Sequence, residues 1–82
     1  MAEIVVESQL DVLKRVRNEM QDKLVRNQID FEFFNSKRLI VNNGQERIQI
    51  EREFNIRKQA VADLTTILRI IDELIKKIPT VN

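Results

Sequence analysis

Hydrophobic residues recur along the first half of the chain at intervals of three or four: Val6, Leu10, Leu13, Val16, Met20, Leu24, Phe31 and Phe34. At about 100° per residue they fall within an arc of roughly 120°, the one-sided stripe of a helix that packs on a single neighbour. A second series, Ile50, Phe54, Val61, Leu64, Leu68, Ile71, Ile75 and Ile78, steps by four and three and is broken once, by Arg57. That is seam spacing of the coiled-coil type. Between the two series stand Asn42, Asn43 and Gly44, the one strong turn signal in the chain.

The ends of the helices are marked as well. Ser8 followed by Asp11 has the spacing of a capping box, Asn43 followed by Glu46 repeats it with Asn as cap, and Ile78-Pro79 supplies a stop. The pattern predicts an all-α fold in one domain spanning 1–82. Its parts are a helix over about 8–41, a turn at 42–44, a helix over about 44–78 and frayed ends. Acid precedes base by four residues at Glu53 and Arg57, Asp72 and Lys76, and Glu73 and Lys77, the favourable order on a helix surface.

The middle of the chain also fits another arrangement. Ile29, Phe31 and Phe33 alternate, as do Ile48 and Ile50, and Asn43-Gly44 suits a type I′ hairpin turn. A helix, β-hairpin, helix order over 28–57 is the alternative. The helical reading is preferred because 46–59 is dense in helix formers and its stripe continues without a phase shift into 60–78. Asn35 and Ser36, whose side chains compete with the backbone, mark a possible local break.

A tight turn makes the helices antiparallel, so facing residues have numbers that sum to about 84 to 86. In that register Asn27, which interrupts the first stripe, falls opposite Arg57, which interrupts the second, and the two are expected to share a polar layer. The width of the second stripe matters more. Between 60 and 78, Ala60, Val61, Leu64, Ile67, Leu68, Ile71, Leu74, Ile75 and Ile78 span roughly 140°, and Ile70 widens the arc to about 180°. One partner helix covers less than this. The sequence therefore predicts a coiled-coil-like hairpin that assembles into a homo-oligomeric helical bundle, a four-helix bundle if a homodimer, through Ile67, Ile70, Ile71 and Leu74. Covering three such side chains is expected to contribute on the order of 5 kcal/mol per subunit.

Composition removes whole classes of chemistry. The 82 residues are 43% hydrophobic and 33% charged, with no Cys, His, Trp or Tyr, one Gly and one Pro. That leaves no disulfide framework, thiolate nucleophile, imidazole base or thiolate and imidazole metal ligands, and too few glycines for a phosphate-cradling loop. The carboxylate pairs Glu51 with Glu53 and Asp72 with Glu73 have no sheltered pocket in a two-helix hairpin, so an enzyme is not expected, nor a cofactor or metal. No purely apolar run exceeds three residues, as at 4–6 and 39–41, so no membrane span is expected and a cytoplasmic chain is the default.

Net charge is +1, without the basic excess of a typical duplex binder. Arg47, Lys58, Arg69 and Lys76 nevertheless share an outer strip of the second helix roughly 40° wide, a possible anion or nucleic-acid contact, with Glu51 and Asp72 in or beside it. Lys14, Arg15 and Arg17 form the densest basic group and lie toward the same end of the hairpin as Lys76 and Lys77. Phe33, off the first stripe, is a candidate anchor for a partner. The functional expectation is a non-catalytic protein–protein interaction, adaptor or regulatory protein that self-associates and meets another protein. The alternatives are a small nucleic-acid-associated protein, and a chaperone-like holder whose helices joined through a β-hairpin would resemble the prefoldin architecture.

Overall fold

In the computed structural model, which describes residues 8–78, the chain forms two helices, α1 (Gln9–Arg38) and α2 (Gly44–Lys77). Both start where the capping residues stand. The Asp11 amide donates to Ser8 Oγ at 3.2 Å, and the Gln45 and Glu46 amides donate to Asn43 Oδ1 at 3.0 and 3.3 Å. Each cap satisfies amides that the first turn of a helix leaves without partners. Lys37 and Arg38 close α1, and Lys76 and Lys77 close α2, where cations complement the negative end of the helix dipole.

No strand occurs among the described residues, and the backbone shows why the hairpin alternative for 28–57 fails. A type I′ turn needs positive φ at both central residues. Asn43 is extended at φ −77° and ψ 125°, and Gly44 has no positive φ and opens α2. The Asn-Gly pair is used as a helix start. The prefoldin-like arrangement, which depends on that β-hairpin, is absent with it. α1 runs through Asn35 and Ser36 without a break, but it ends at Arg38, three residues short of the expectation. Its last turn tightens, with the Leu39 amide donating to the Ser36 carbonyl and the Ile40 amide to the Lys37 carbonyl, each at 3.2 Å. Residues 39–43 then make the reversal. The expected frayed ends at 1–7 and 80–82, with Val6 and Pro79, lie outside the described residues.

The antiparallel register holds. Phe31 stacks on Phe54 with ring centroids 4.9 Å apart, and Arg17 reaches Asp72 at 3.3 Å near the opposite end. Five side chains are buried along this contact, Leu24, Ile50, Phe54, Leu64 and Ile71. The remaining described stripe residues, Leu10, Leu13, Val16, Met20, Phe31 and Phe34 of α1 and Val61, Leu68, Ile75 and Ile78 of α2, are half-buried. The molecule measures 64 × 30 × 14 Å, so it is one helix thick. A plate of that thickness has no interior. Each seam residue is covered by the facing helix and by its own neighbours, and both broad faces remain open.

Asn27 and Arg57 do not pair. The Asn27 amide turns back to donate to the Lys23 carbonyl at 2.8 Å, while Arg57 lies 3.9 Å from Asp30 Oδ2 and 3.7 Å from Glu53 Oε2. The long guanidinium arm carries its charge past the amide to carboxylates, which offer it more electrostatic energy than an amide does. Neither distance is a hydrogen bond, and Arg57 Nε is buried without an acceptor.

Candidate functional site

Relative to its seam, α2 has two flanks, and in a plate one helix thick these become part of the two broad faces. Residues 56, 60, 63, 67, 70, 74 and 77 step by four and three along a line about 100° to one side of the seam. This second line carries Ile56, Ala60, Ile67, Ile70 and Leu74, with Asp63 and Lys77 as its only charges. Ile67 is 40% exposed, Ile70 48% and Leu74 44%. Ile71, expected in the same interface, is instead buried at 6%. It faces α1 within the chain, and a residue in that seam cannot also meet a second molecule. The candidate surface is therefore Ile67, Ile70 and Leu74, continued by Ile56.

The half-exposed state of the three also corrects the energy expected of them. Complete burial of such a side chain contributes about 1.5–3 kcal/mol, and roughly half has already been gained inside the hairpin, leaving about 1 kcal/mol each. Six side chains in a symmetric pair would then contribute about 6 kcal/mol, comparable with the cost of association. A self-association resting on this flank is accordingly concentration-dependent and needs further contacts.

Arg47, Lys58, Arg69 and Lys76 lie about 100° to the other side of the seam, so the structure brings them onto the opposite broad face. All four are exposed, and none enters an ion pair among the described residues. The acids of that strip are taken by α1: Arg17 holds Asp72 and Arg38 holds Glu51, both at 3.3 Å. Arg17 thus leaves the basic group it shares in sequence with Lys14 and Arg15. Of the carboxylate pairs, Glu51, Glu53 and Asp72 all face arginines. No group of three or more His, Cys, Asp or Glu side chains among the described residues could hold a metal ion. No helix among them is long and apolar enough to cross a membrane.

Phe33 is 58% exposed, with Lys37 Nζ 5.6 Å from its ring centre and Phe34 edge-on at 5.4 Å. It stands in a line with Val25 and Ile29, at 43% and 63% exposure, on the outer side of α1. That line was legible as a repeat of four at 25, 29 and 33. At the tip of the hairpin, Leu39 and Ile40 are each 76% exposed, left outside the helix by its early end. A shallow groove beside the tip, lined by Phe34, Lys37, Glu46, Gln49, Ile50, Arg52 and Glu53, mixes both charges and encloses nothing.

Compared with known proteins, the chain matches no protein-family model, no curated protein and no solved structure.

Proposed function

We propose that the chain is a non-catalytic protein–protein interaction, adaptor or regulatory protein that works through a self-associating helical hairpin. One observation carries the reading: α2 packs its seam on α1, burying Ile50, Phe54, Leu64 and Ile71, and still presents Ile67, Ile70 and Leu74, each between 40% and 48% exposed, along a second line at heptad spacing. A helix that needed only α1 would place polar residues there. The absence of a catalytic role is supported by the carboxylates, which already face Arg17, Arg38 and Arg57 on an open plate. A coiled-coil-like homodimer, closing a four-helix bundle in the cytoplasm, belongs to the same proposal, with Phe33 as anchor for a further protein.

Sedimentation of the full chain and of Ile70→Glu tests it. The wild type is expected to associate as concentration rises and the variant to remain a helical monomer; a variant that associates like the wild type would remove the flank from the interface.

A second reading, a small nucleic-acid-associated protein, is favoured by one specific feature. Because α1 supplies Arg17 and Arg38 to the acids of the strip, Arg47, Lys58, Arg69 and Lys76 are left on one face as cations without an ion pair among the described residues. Salt dependence separates the two readings, since phosphate binding weakens steeply with salt and apolar docking does not.

A further inference from the structure

The second line of α2 has a symmetry that names its partner. Read from 63 through 67, 70 and 74 to 77, it is Asp63, Ile67, Ile70, Leu74 and Lys77: acid, three apolar residues, base. Such a line is self-complementary when a copy of it runs the other way. The geometry points to a second copy of this chain as the occupant, packed antiparallel about a twofold axis near Ile70, with Asp63 of each copy against Lys77 of the other. This rests on the reading of the flank as a self-association surface and adds the orientation and register.

Under that axis Ile70 meets its own copy, Ile67 meets Leu74, and both ends of the line close with opposite charges. The charges are free to do so. Asp63 accepts only the Gln59 amide, at 2.9 Å on its own helix, and neither Asp63 nor Lys77 enters an ion pair among the described residues. This sets them apart from Glu51, Glu53 and Asp72, which face arginines within the chain. The neighbouring Thr66 hydroxyl turns back to donate to the Ala62 carbonyl at 3.1 Å, so at this border the flank presents no unsatisfied hydroxyl.

The other arrangements are worse. Parallel pairing sets Asp63 against its own copy, and an antiparallel register centred on Ile67 sets it against Ile70. The same twofold also lays the first half of α1 beside its copy and closes a four-helix bundle. Ile70 is level with about residue 15 of α1, close to the half-buried Val12 and Val16. Val12 stands about five turns from Asp30 and so on the same side of α1; Asp30 approaches Arg57 together with Glu53, which continues the second line three residues before Ile56, so Val12 lies on the flank's face. The basic strip stays outside.

Charge reversal tests the register. Asp63 and Lys77 are exposed, so Asp63→Lys and Lys77→Glu are expected to keep their helicity by circular dichroism. Each variant alone faces itself with like charges at both ends, and its self-association measured by analytical ultracentrifugation should weaken roughly tenfold. An equimolar mixture of the two restores opposite charges at both ends, the introduced Lys against the introduced Glu at one and native Lys77 against native Asp63 at the other, and should recover wild-type affinity; so should the double variant, which pairs Lys with Glu at both. A wild type that stays monomeric at millimolar concentration overturns the proposal. So does a mixture that associates no better than its components; if Ile70→Glu is then monomeric, the flank reading stands and only the register falls. Association that survives Ile70→Glu removes both.

Discussion

Phe31 of α1 stacks on Phe54 of α2 with ring centroids 4.9 Å apart and planes 26° from parallel, and the Arg38 guanidinium covers the same Phe54 ring at 4.0 Å. This is the one place in the hairpin where an aromatic pair locks the two helices in register. A sliding of one turn would exchange Phe31 for Asn27 or Asn35 and leave the buried Phe54 ring against an amide. The stack lies about six turns from the open end of the hairpin, where the seam is aliphatic and specifies register less sharply.

Phe54→Ala is therefore expected to be the most damaging single truncation in the chain. The ring is 7% exposed, and such truncations cost about 3–5 kcal/mol. For a domain of this size that approaches the whole stability. Urea unfolding followed by circular dichroism should show the variant largely unfolded without denaturant, and a loss under about 1 kcal/mol would mean that the stack does not form.

Arg57 gives the opposite sign. It sits in the seam with Nε buried and unbonded, and its two carboxylates are 3.7 and 3.9 Å away. An aliphatic residue there would continue the stripe and remove an uncompensated polar atom. Arg57→Leu is expected to raise stability by about 1 kcal/mol, since the partly exposed ion pairs it gives up contribute little and the buried Nε without an acceptor is removed. A double-mutant cycle should find coupling of Arg57 with Asp30 and none with Asn27.

The fate of Arg57 shows where the sequence was legible and where it was not. Backbone features repeat with the helix period, so the two stripes, the Ser8 and Asn43 caps and the antiparallel register could be read from residue spacing. Side-chain reach does not follow that period. Asn27 and Arg57 interrupt their stripes in one layer, yet a guanidinium on a long arm passes to Asp30 while a short amide returns to its own helix. The same holds for the candidate surface. An arc of about 180° was correctly too wide for one partner, but the arc alone does not divide seam from flank. That division puts Ile71 inside and Ile70 outside, and it depends on where α1 sits. The early end of α1 was hidden because Leu39, Ile40 and Val41 extend an apolar run that reads as helix, while Asn43 must be extended to cap α2.

Gly44 separates helix start from hairpin turn in solution. Its φ is not positive, and a Cβ added there meets nothing within 4 Å. Gly44→Ala is expected to stabilise by about 0.4–1 kcal/mol through the unfolded chain, whereas at a type I′ turn it would destabilise. Asn43→Ala, which removes the acceptor of two amides, should cost about 1 kcal/mol. Thermal unfolding of the pair of variants gives both signs in one experiment.

The basic strip makes a quantitative claim for the nucleic-acid reading. Four cations engaging duplex phosphates give a slope of log affinity against log salt near about −3.6. Lys58→Glu with Arg69→Glu should abolish such binding and leave helicity unchanged, because both residues are exposed and outside the seam. A slope shallower than about −1 in a fluorescence-anisotropy titration would dismiss phosphate contact by this face.

Ile70 and Ile71 are adjacent and chemically identical, and the hairpin gives them different tasks. Ile71, 6% exposed, belongs to the contact with α1, so Ile71→Ala should lower the unfolding free energy of the isolated chain by about 2–4 kcal/mol. Ile70, 48% exposed, contributes little there, and Ile70→Ala should change chain stability by under about 1 kcal/mol. Association reverses the order: at equal helicity, sedimentation equilibrium should show the Ile70 variant dissociating at concentrations where the wild type is paired. Measuring unfolding at concentrations too low for pairing keeps the two effects apart, because a dimer gains stability by mass action and would otherwise lend the Ile70 variant an apparent folding defect. Equal destabilisation of the chain by both substitutions would mean that α2 turns a different face to α1, and the flank would have to be redrawn.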